Sequence, residues 1–383
     1  MDIKEKALQL HNKFKGKIAV EPKIRVKTKD DLSLAYTPGV AFASMEIFED
    51  KEKIYDYCWT GNTILIVTDG SAVLGLGDIG PEASLPVMEG KSLLFKEFGN
   101  VNCVPLCLNT KDPDEIVETV LRVMPAYGGV NLEDISAPRC FEIEEKLKKA
   151  LGNKPVFHDD QHGTSIVVLA ALINAAKVVG KNLREMRILI NGAGSAGVAT
   201  TKLLHNYGVG DIILSDTAGA IYEGREENMN PIKEEVSKIT NRNMVRGPLE
   251  EIIKGVDVFI GVSRPGILTE EMVRSMAHRA IVFAMANPVP EIMPEEARRG
   301  GAEIIATGRS DFPNQVNNLL AFPGVFRGAL DARVQVNEKM RVAAALAIAS
   351  YVEKPEANMI VPSPLDKGVA DRVAEAIRKS AKE

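Results

Sequence analysis

Two acidic pairs, each at the end of a short apolar run, constrain this chain more than any other feature. Val130-Asn131-Leu132 leads into Glu133-Asp134, and Pro155-Val156-Phe157-His158 leads into Asp159-Asp160. Between them, residues 141–151 alternate apolar and charged side chains at helical spacing, with Phe141, Leu147 and Leu151 toward one side and Gly152 as a stop. Glu142, Glu144 and Glu145 each precede a lysine by one helical turn, the order that supports a helix. Strand, crossover helix and second strand make a parallel βαβ unit, which delivers both pairs to one carboxyl edge of a sheet whose strands lie ~4.8 Å apart. Carboxylates crowded in this way need protons or a cation, and hard oxygen donors without cysteine suit Mg²⁺ or Mn²⁺. Strand-end acids facing water are the plainer alternative.

The second half carries a different signature. Residues 187–191 read as a strand, Gly192-Ala193-Gly194-Ser195-Ala196-Gly197 follows, and residues 198–207 read as a helix. A further strand over 211–215 ends in Asp216, about twenty residues on, as a dinucleotide-binding fold requires. The glycines let backbone amides and a helix N-terminus approach a pyrophosphate, and Asp216 can bind the ribose hydroxyls. Strands over 256–261, 280–286 and 303–306 end in small or polar loops carrying Ser263, Asn287 and Asn317-Asn318, where this architecture binds ligands. The asparagines are equally able to serve as turn or cap residues. The expected fold is α/β. An N-terminal α/β substrate and metal domain spans residues 1–160, and a C-terminal Rossmann-type doubly wound parallel sheet domain with C-terminal helices spans 161–383. An apolar helix over 165–179 bridges them.

In the first half, residues 62–68 read as a buried parallel strand ending in Asp69-Gly70, followed by a glycine-rich segment over 74–80. A helix over 82–98 puts Leu85, Met88, Phe95 and Phe98 on an apolar face, and Lys91 falls on that same face. A lysine so placed either snorkels to an edge or is desolvated, which lowers its pKa and makes it a usable base. A strand over 101–108 and a helix over 114–123 follow. Thr37 and Pro38 read as the cap and first position of a helix, with Tyr36 on the preceding turn. Residues 1–29 read as a short amphipathic helix and a basic extended segment, either a solvated charge run or an arm packing on a second subunit.

The formal net charge of −5 over 383 residues, without a concentrated basic stretch, argues against nucleic-acid and membrane-surface partners. The start lacks the apolar core of a signal peptide, and the longest apolar run, 166–179, is too short to span a bilayer. Four cysteines without a CxxC pair suit a reduced, cytoplasmic chain with packed thiols.

Together these motifs resemble the malic enzymes, in their short prokaryotic-type form. The likeness rests on Tyr36-Thr37-Pro38-Gly39-Val40-Ala41, Val67-Thr68-Asp69-Gly70, Gly75-Leu76-Gly77-Asp78-Ile79-Gly80, Glu89-Gly90-Lys91, Leu132-Glu133-Asp134-Ile135, Phe157-His158-Asp159-Asp160-Gln161-His162-Gly163-Thr164 and the dinucleotide fingerprint. It covers nearly the whole chain. It implies metal-dependent oxidative decarboxylation of malate to pyruvate and CO₂, with reduction of NAD or NADP. It further implies that Glu133, Asp134 and Asp160 hold the divalent metal, that Lys91 takes the hydroxyl proton with Asp159 beside it, and that Tyr36 protonates the enolate. Gly192, Gly194, Ser195, Ala196, Gly197, Asp216, Ser263, Asn287 and Asn317 would meet the cofactor, and Lys91, Asn287 and Asn318 the substrate. Eukaryotic relatives carry an arginine for the substrate carboxylate where this chain has Ala72, so that recognition must come from elsewhere. Asp216 favours NAD by repelling a 2′-phosphate, whereas nearby Arg225 could reach one. A homodimer or higher homo-oligomer is also implied. Two rival functions share the motifs: a metal-dependent oxaloacetate (β-keto acid) decarboxylase without net redox, and a non-catalytic dinucleotide sensor.

Overall fold

The protein was described from a computed structural model covering residues 2–73 and 75–383; Leu74, part of the glycine-rich segment, lies outside the described residues. The apolar runs of the first half become β1 (Thr63–Thr68), β2 (Asn102–Cys107), β3 (Gly129–Leu132) and β4 (Val156–His158). All are parallel, in the order β2-β1-β3-β4. β1 and β3 are buried along their whole length, as strands covered by helices on both faces must be. The order reverses between β1 and β3, so their carboxyl ends open a crevice. The crossover helix Arg139–Leu151 forms as its spacing predicts, but the face it buries is Cys140, Ile143, Glu144 and Leu147. Phe141 and Leu151 pack at its edge, only partly buried.

The second sheet contains β5 (Arg187–Asn191), β6 (Asp211–Asp216), β7 (Gly219–Ala220), β8 (Val258–Gly261), β9 (Ala280–Ala284) and β10 (Ala302–Thr307). Its order is β10-β9-β8-β5-β6-β7, parallel except for the short antiparallel β7. The architecture is therefore two-sheet α/β with a Rossmann-type second sheet. The two sheets share one core: Ile64, Phe95 and Phe157 belong to the same buried cluster as Ile188 and Phe283. Helix Asp159–Val179 runs through it. That helix is 21 residues long and apolar enough to cross a membrane by length and composition, longer than the apolar run alone because it starts at Asp159; 83% of its most apolar window is buried inside the protein.

Several local expectations are corrected. Helix Val40–Glu49 is preceded by Gly39, not capped by Thr37, because the chain at 36–39 closes an unforeseen helix, Lys29–Ala35, with Gly39 N donating to Ser33 O at 2.8 Å. On helix Gly80–Gly99, Leu85 is exposed and its expected place is taken by Ser84 and Ser92, whose hydroxyls are satisfied by the carbonyls of Pro81 and Met88. Cys58 is exposed rather than packed. Helices Phe322–Ala332 and Glu338–Tyr351 were not legible, and the first brings Phe322 and Phe326 to within 4.5 and 5.2 Å of the Phe95 ring. At the other end of the chain, helices Ile3–Phe14, Lys29–Ala35 and Val40–Glu49 bury no residue, and Phe14, Leu34, Phe42 and Phe48 are exposed.

Candidate active site

The parallel ladder sets the geometry. Leu132 and His158 are partners across β3 and β4, so the residues that follow them, Glu133 and Asp159, emerge side by side. One step further, Asp134 N donates to Asp160 Oδ2 at 2.8 Å. Glu133, Asp134 and Asp160 can each offer an oxygen within 4.8 Å of the others, a hard donor set that fits one divalent cation. Asn131 Nδ2 donates to Glu133 Oε2 at 2.7 Å and fixes that carboxylate's orientation.

Lys91 reaches this edge from helix Gly80–Gly99. Its ammonium is 2.8 Å from Glu133 Oε1, donates to Asp159 Oδ2 at 2.5 Å, and lies 4.5 Å from the centroid of the Phe322 ring. It does not snorkel: the residue is only 9% exposed. Nor is its pKa depressed. Burial alone would lower it, but the carboxylates of Asp159, Glu133 and Asp160 outweigh burial and hold it above the ordinary lysine range. Burial pushes Asp159, Asp160 and Glu133 upward, against the pull of Lys91. From the C-terminal part, Asn318 Nδ2 donates to Asp159 Oδ2 at 2.5 Å. Lys91, Asp159, Glu133 and Asn318 are thus in one place.

Tyr36 is not. It is 67% exposed between two helices that bury nothing, and among the described residues no hydrogen bond or ring contact links it to Lys91. Asn317 Oδ1 accepts from Leu319 N at 2.8 Å, which is a helix cap. Asn287 meets the glycine-rich loop through its backbone: a Cβ on Gly75 would lie 2.2 Å from Asn287 O, and Gly75 has φ +73°.

Residues behind the acids were missed by sequence reasoning. Glu144, read only as a helix-surface partner of Lys148, is buried and accepts from His162 Nε2 at 2.6 Å and Gln161 Nε2 at 3.2 Å. With Nε2 donating, His162 Nδ1 is left to accept from Arg341 Nη1 at 2.5 Å, so the ring is neutral, and burial holds its pKa down to about 4. Arg139 donates from Nε to Asp69 Oδ2 at 3.0 Å, which ties the start of the crossover helix to the loop after β1.

At the second sheet, Asn191 and Gly261 are partners across β5 and β8, which joins the loops Gly192-Ala193-Gly194 and Val262-Ser263. A Cβ on Gly197 would lie 1.7 Å from Gly192 O, whereas one on Gly194 would meet nothing within 4 Å, leaving open space over the N-terminus of helix Ser195–Tyr207. That helix starts inside the fingerprint, earlier than expected. Asn191, Gly192, Asp216 and Ser263 line one cavity of about 870 Å³, and this cradle fits a dinucleotide. Ser263 N and Ala286 N both donate to the buried Glu291, at 3.0 and 2.9 Å. Glu291, also missed, therefore clamps two ligand-side loops together. Its only sequence signal was an acid just after Asn287-Pro288-Val289-Pro290.

The sequence matches the family profiles described as malic enzyme, N-terminal domain, over residues 15–148, and malic enzyme, NAD binding domain, over residues 161–382. The chain belongs to the malic enzyme family. Among curated malic enzymes it is 58% identical to the bifunctional malic/malolactic enzyme of Bacillus subtilis (strain 168), covering 100% of this chain and 94% of that protein. It is 54% identical to the NAD-dependent malic enzyme of Geobacillus stearothermophilus, covering 96% and 77%. The crystal structure of the NAD-dependent malic enzyme from Thermotoga maritima superposes with a TM-score of 0.94 at 45% identity, covering 97% of this chain and 98% of that one.

Proposed function

We propose that this chain catalyses metal-dependent oxidative decarboxylation of malate to pyruvate and CO₂ with reduction of NAD(P). The observation that carries this reading is the buried Lys91 ammonium held between Glu133 and Asp159, beside three carboxylates able to share one cation. Glu133, Asp134 and Asp160 would hold the metal, which supplies a Lewis acid for the keto oxygen, as the bound nicotinamide supplies the hydride acceptor. Lys91 must be neutral to take the malate hydroxyl proton, and Asp159, 2.5 Å away and pushed upward by burial, is placed to take the lysine's proton first. Asn318 keeps Asp159 turned toward Lys91, and Asn287 sits at the junction with the cofactor half. Gly192, Gly194, Ser195, Ala196 and Gly197 would cradle the pyrophosphate, with Ser263 on the nicotinamide side.

A homodimer completes the reading. The apolar side chains exposed on the N-terminal helices form the face that a second copy would cover, and Tyr36, the acid in this mechanism, stands on that face. The chain works in the cytoplasm without nucleic-acid or membrane partners, and residue 160 divides its metal half from its dinucleotide half. Malate-dependent NAD(P)H absorbance, with Mn²⁺ and with excess chelator, tests the activity. Signal only with Mn²⁺ supports it; oxaloacetate decarboxylation without malate oxidation would favour the non-redox decarboxylase, and nucleotide binding without turnover the sensor.

A further inference from the structure

His158, the last residue of β4, is fully buried, and among the described residues neither of its ring nitrogens has a hydrogen-bond partner. It lies on the same face of the strand as Val156, beside Leu132 across the ladder. Val156 and Leu132 both pack in the apolar layer with Cys140, Ile143 and Leu147 of the crossover helix. A leucine would suit that layer better, because a buried N–H without an acceptor is destabilising relative to an apolar group of similar shape. Burial lowers the pKa of the ring and keeps it neutral, so it carries one N–H. Glu144, the acid on the facing helix, is already filled: it accepts from His162 Nε2, Gln161 Nε2 and Lys148 Nζ, at 2.6, 3.2 and 2.6 Å. The carboxylate that His158 faces is Asp160, with Nδ1 3.7 Å from Oδ2, about 0.5 Å beyond an ordinary hydrogen bond.

The neighbouring strand carries the same device in finished form. Asn131 stands two residues before Glu133 and donates to it at 2.7 Å, and His158 stands two residues before Asp160. Asn131 is the ladder partner of Phe157, so Asn131 and His158 point to opposite faces of the sheet and flank the acidic edge from both sides. Asp160 Oδ2 already accepts from Asp134 N at 2.8 Å, and a second donor on that oxygen would leave Oδ1 to a cation. We propose that His158 is a positioning residue for the divalent cation, its Nδ1–H holding Asp160 Oδ2 as Asn131 Nδ2 holds Glu133 Oε2. This rests on the metal-site reading above. A donor that restrains a ligating carboxylate is typically worth about 10–100-fold in metal affinity. The buried imidazole thus lowers the stability of the apolar layer and returns that loss as metal binding.

The test is calorimetric titration of the full-length protein with Mn²⁺, alongside Tm measured in chelator. His158→Leu should weaken Mn²⁺ binding by about 10–100-fold while its Tm in chelator stays at or above that of wild type. A residue that only packs would change these in the opposite way. Two polar variants keep the test independent of whether the leucine variant folds. His158→Asn places an amide nitrogen where Nδ1 lies and should keep most of the affinity, whereas His158→Gln places it where Nε2 lies and should not. Wild-type Mn²⁺ affinity in His158→Leu, or equal losses in His158→Asn and His158→Gln, overturns the positioning role but leaves the metal site standing. Failure of the wild type to bind Mn²⁺ overturns the two together.

Discussion

The Lys91 ammonium touches two carboxylates, so its proton can move to a neighbour without crossing water. Lys91→Ala should lower malate-dependent NAD(P)H formation by ~10²–10⁴-fold, the usual contribution of a general acid–base group. A near-normal rate in that variant would move the base elsewhere. Tyr36→Phe keeps the ring and removes the hydroxyl, so it should slow pyruvate formation while leaving reduction of a supplied keto acid much less affected. Equal losses in both partial reactions would remove the division of labour. Glu133→Gln or Asp160→Asn should weaken Mn²⁺ binding by at least ~10–100-fold, the loss typical even of groups that only orient a metal ligand; unchanged calorimetric affinity would exclude that residue from the metal set.

At the scale of elements, buried side chains tie loops from different strands. Glu291 closes the loop after β8 against the loop after β9, so Glu291→Ala leaves two backbone amides without their acceptor and should cost about 1–3 kcal/mol for each amide that water cannot reach. Dinucleotide affinity should fall with stability; a variant with wild-type Tm and affinity would reduce Glu291 to filler. Asp216 does the same for the segment after β6. Burial would raise its carboxyl, but Arg225 and Lys233 more than offset burial and hold it below the usual carboxylate range. A depressed folded pKa gives stability that is complete above the unfolded value of about 3.9 and is lost as pH falls. The unfolding free-energy difference between wild type and Asp216→Asn should therefore be constant near neutrality and shrink below about pH 4. A difference that stays flat into acid would mean the ion cluster adds nothing.

For the whole molecule, the decisive question is what covers the N-terminal helices. Phe42 and Phe48 are 74% and 79% exposed in the single chain, too apolar a surface to leave in water beside Leu34 and Tyr36. Phe42→Asp should convert a dimer to monomers by light scattering and reduce malate oxidation along with dimer content. A monomeric wild type with full activity would sink the shared-surface reading.

The sequence by itself determined the elements whose side-chain period or punctuation is local. These are the βαβ unit around the acid pairs, the fingerprint turn between β5 and its helix, and the parallel strands that carry Glu133, Asp159 and Asp216 to their edges. It also carried the family resemblance, because ordered motifs survive without knowledge of distance. Only the tertiary structure decided what each charge meets. Lys91 keeps a raised pKa because strands from elsewhere bring carboxylates to it, Glu144 turns inward because His162 and Arg341 arrive from other helices, and Asp216 is ion-paired because Arg225 and Lys233 fold back over it. Helix Glu338–Tyr351, rich in alanine and weakly amphipathic, gave no clear period, and its place was set by packing against helices Lys367–Ser380 and Asp159–Val179. Periodicity records which face of an element is buried; the partner that buries it is a property of the assembled chain.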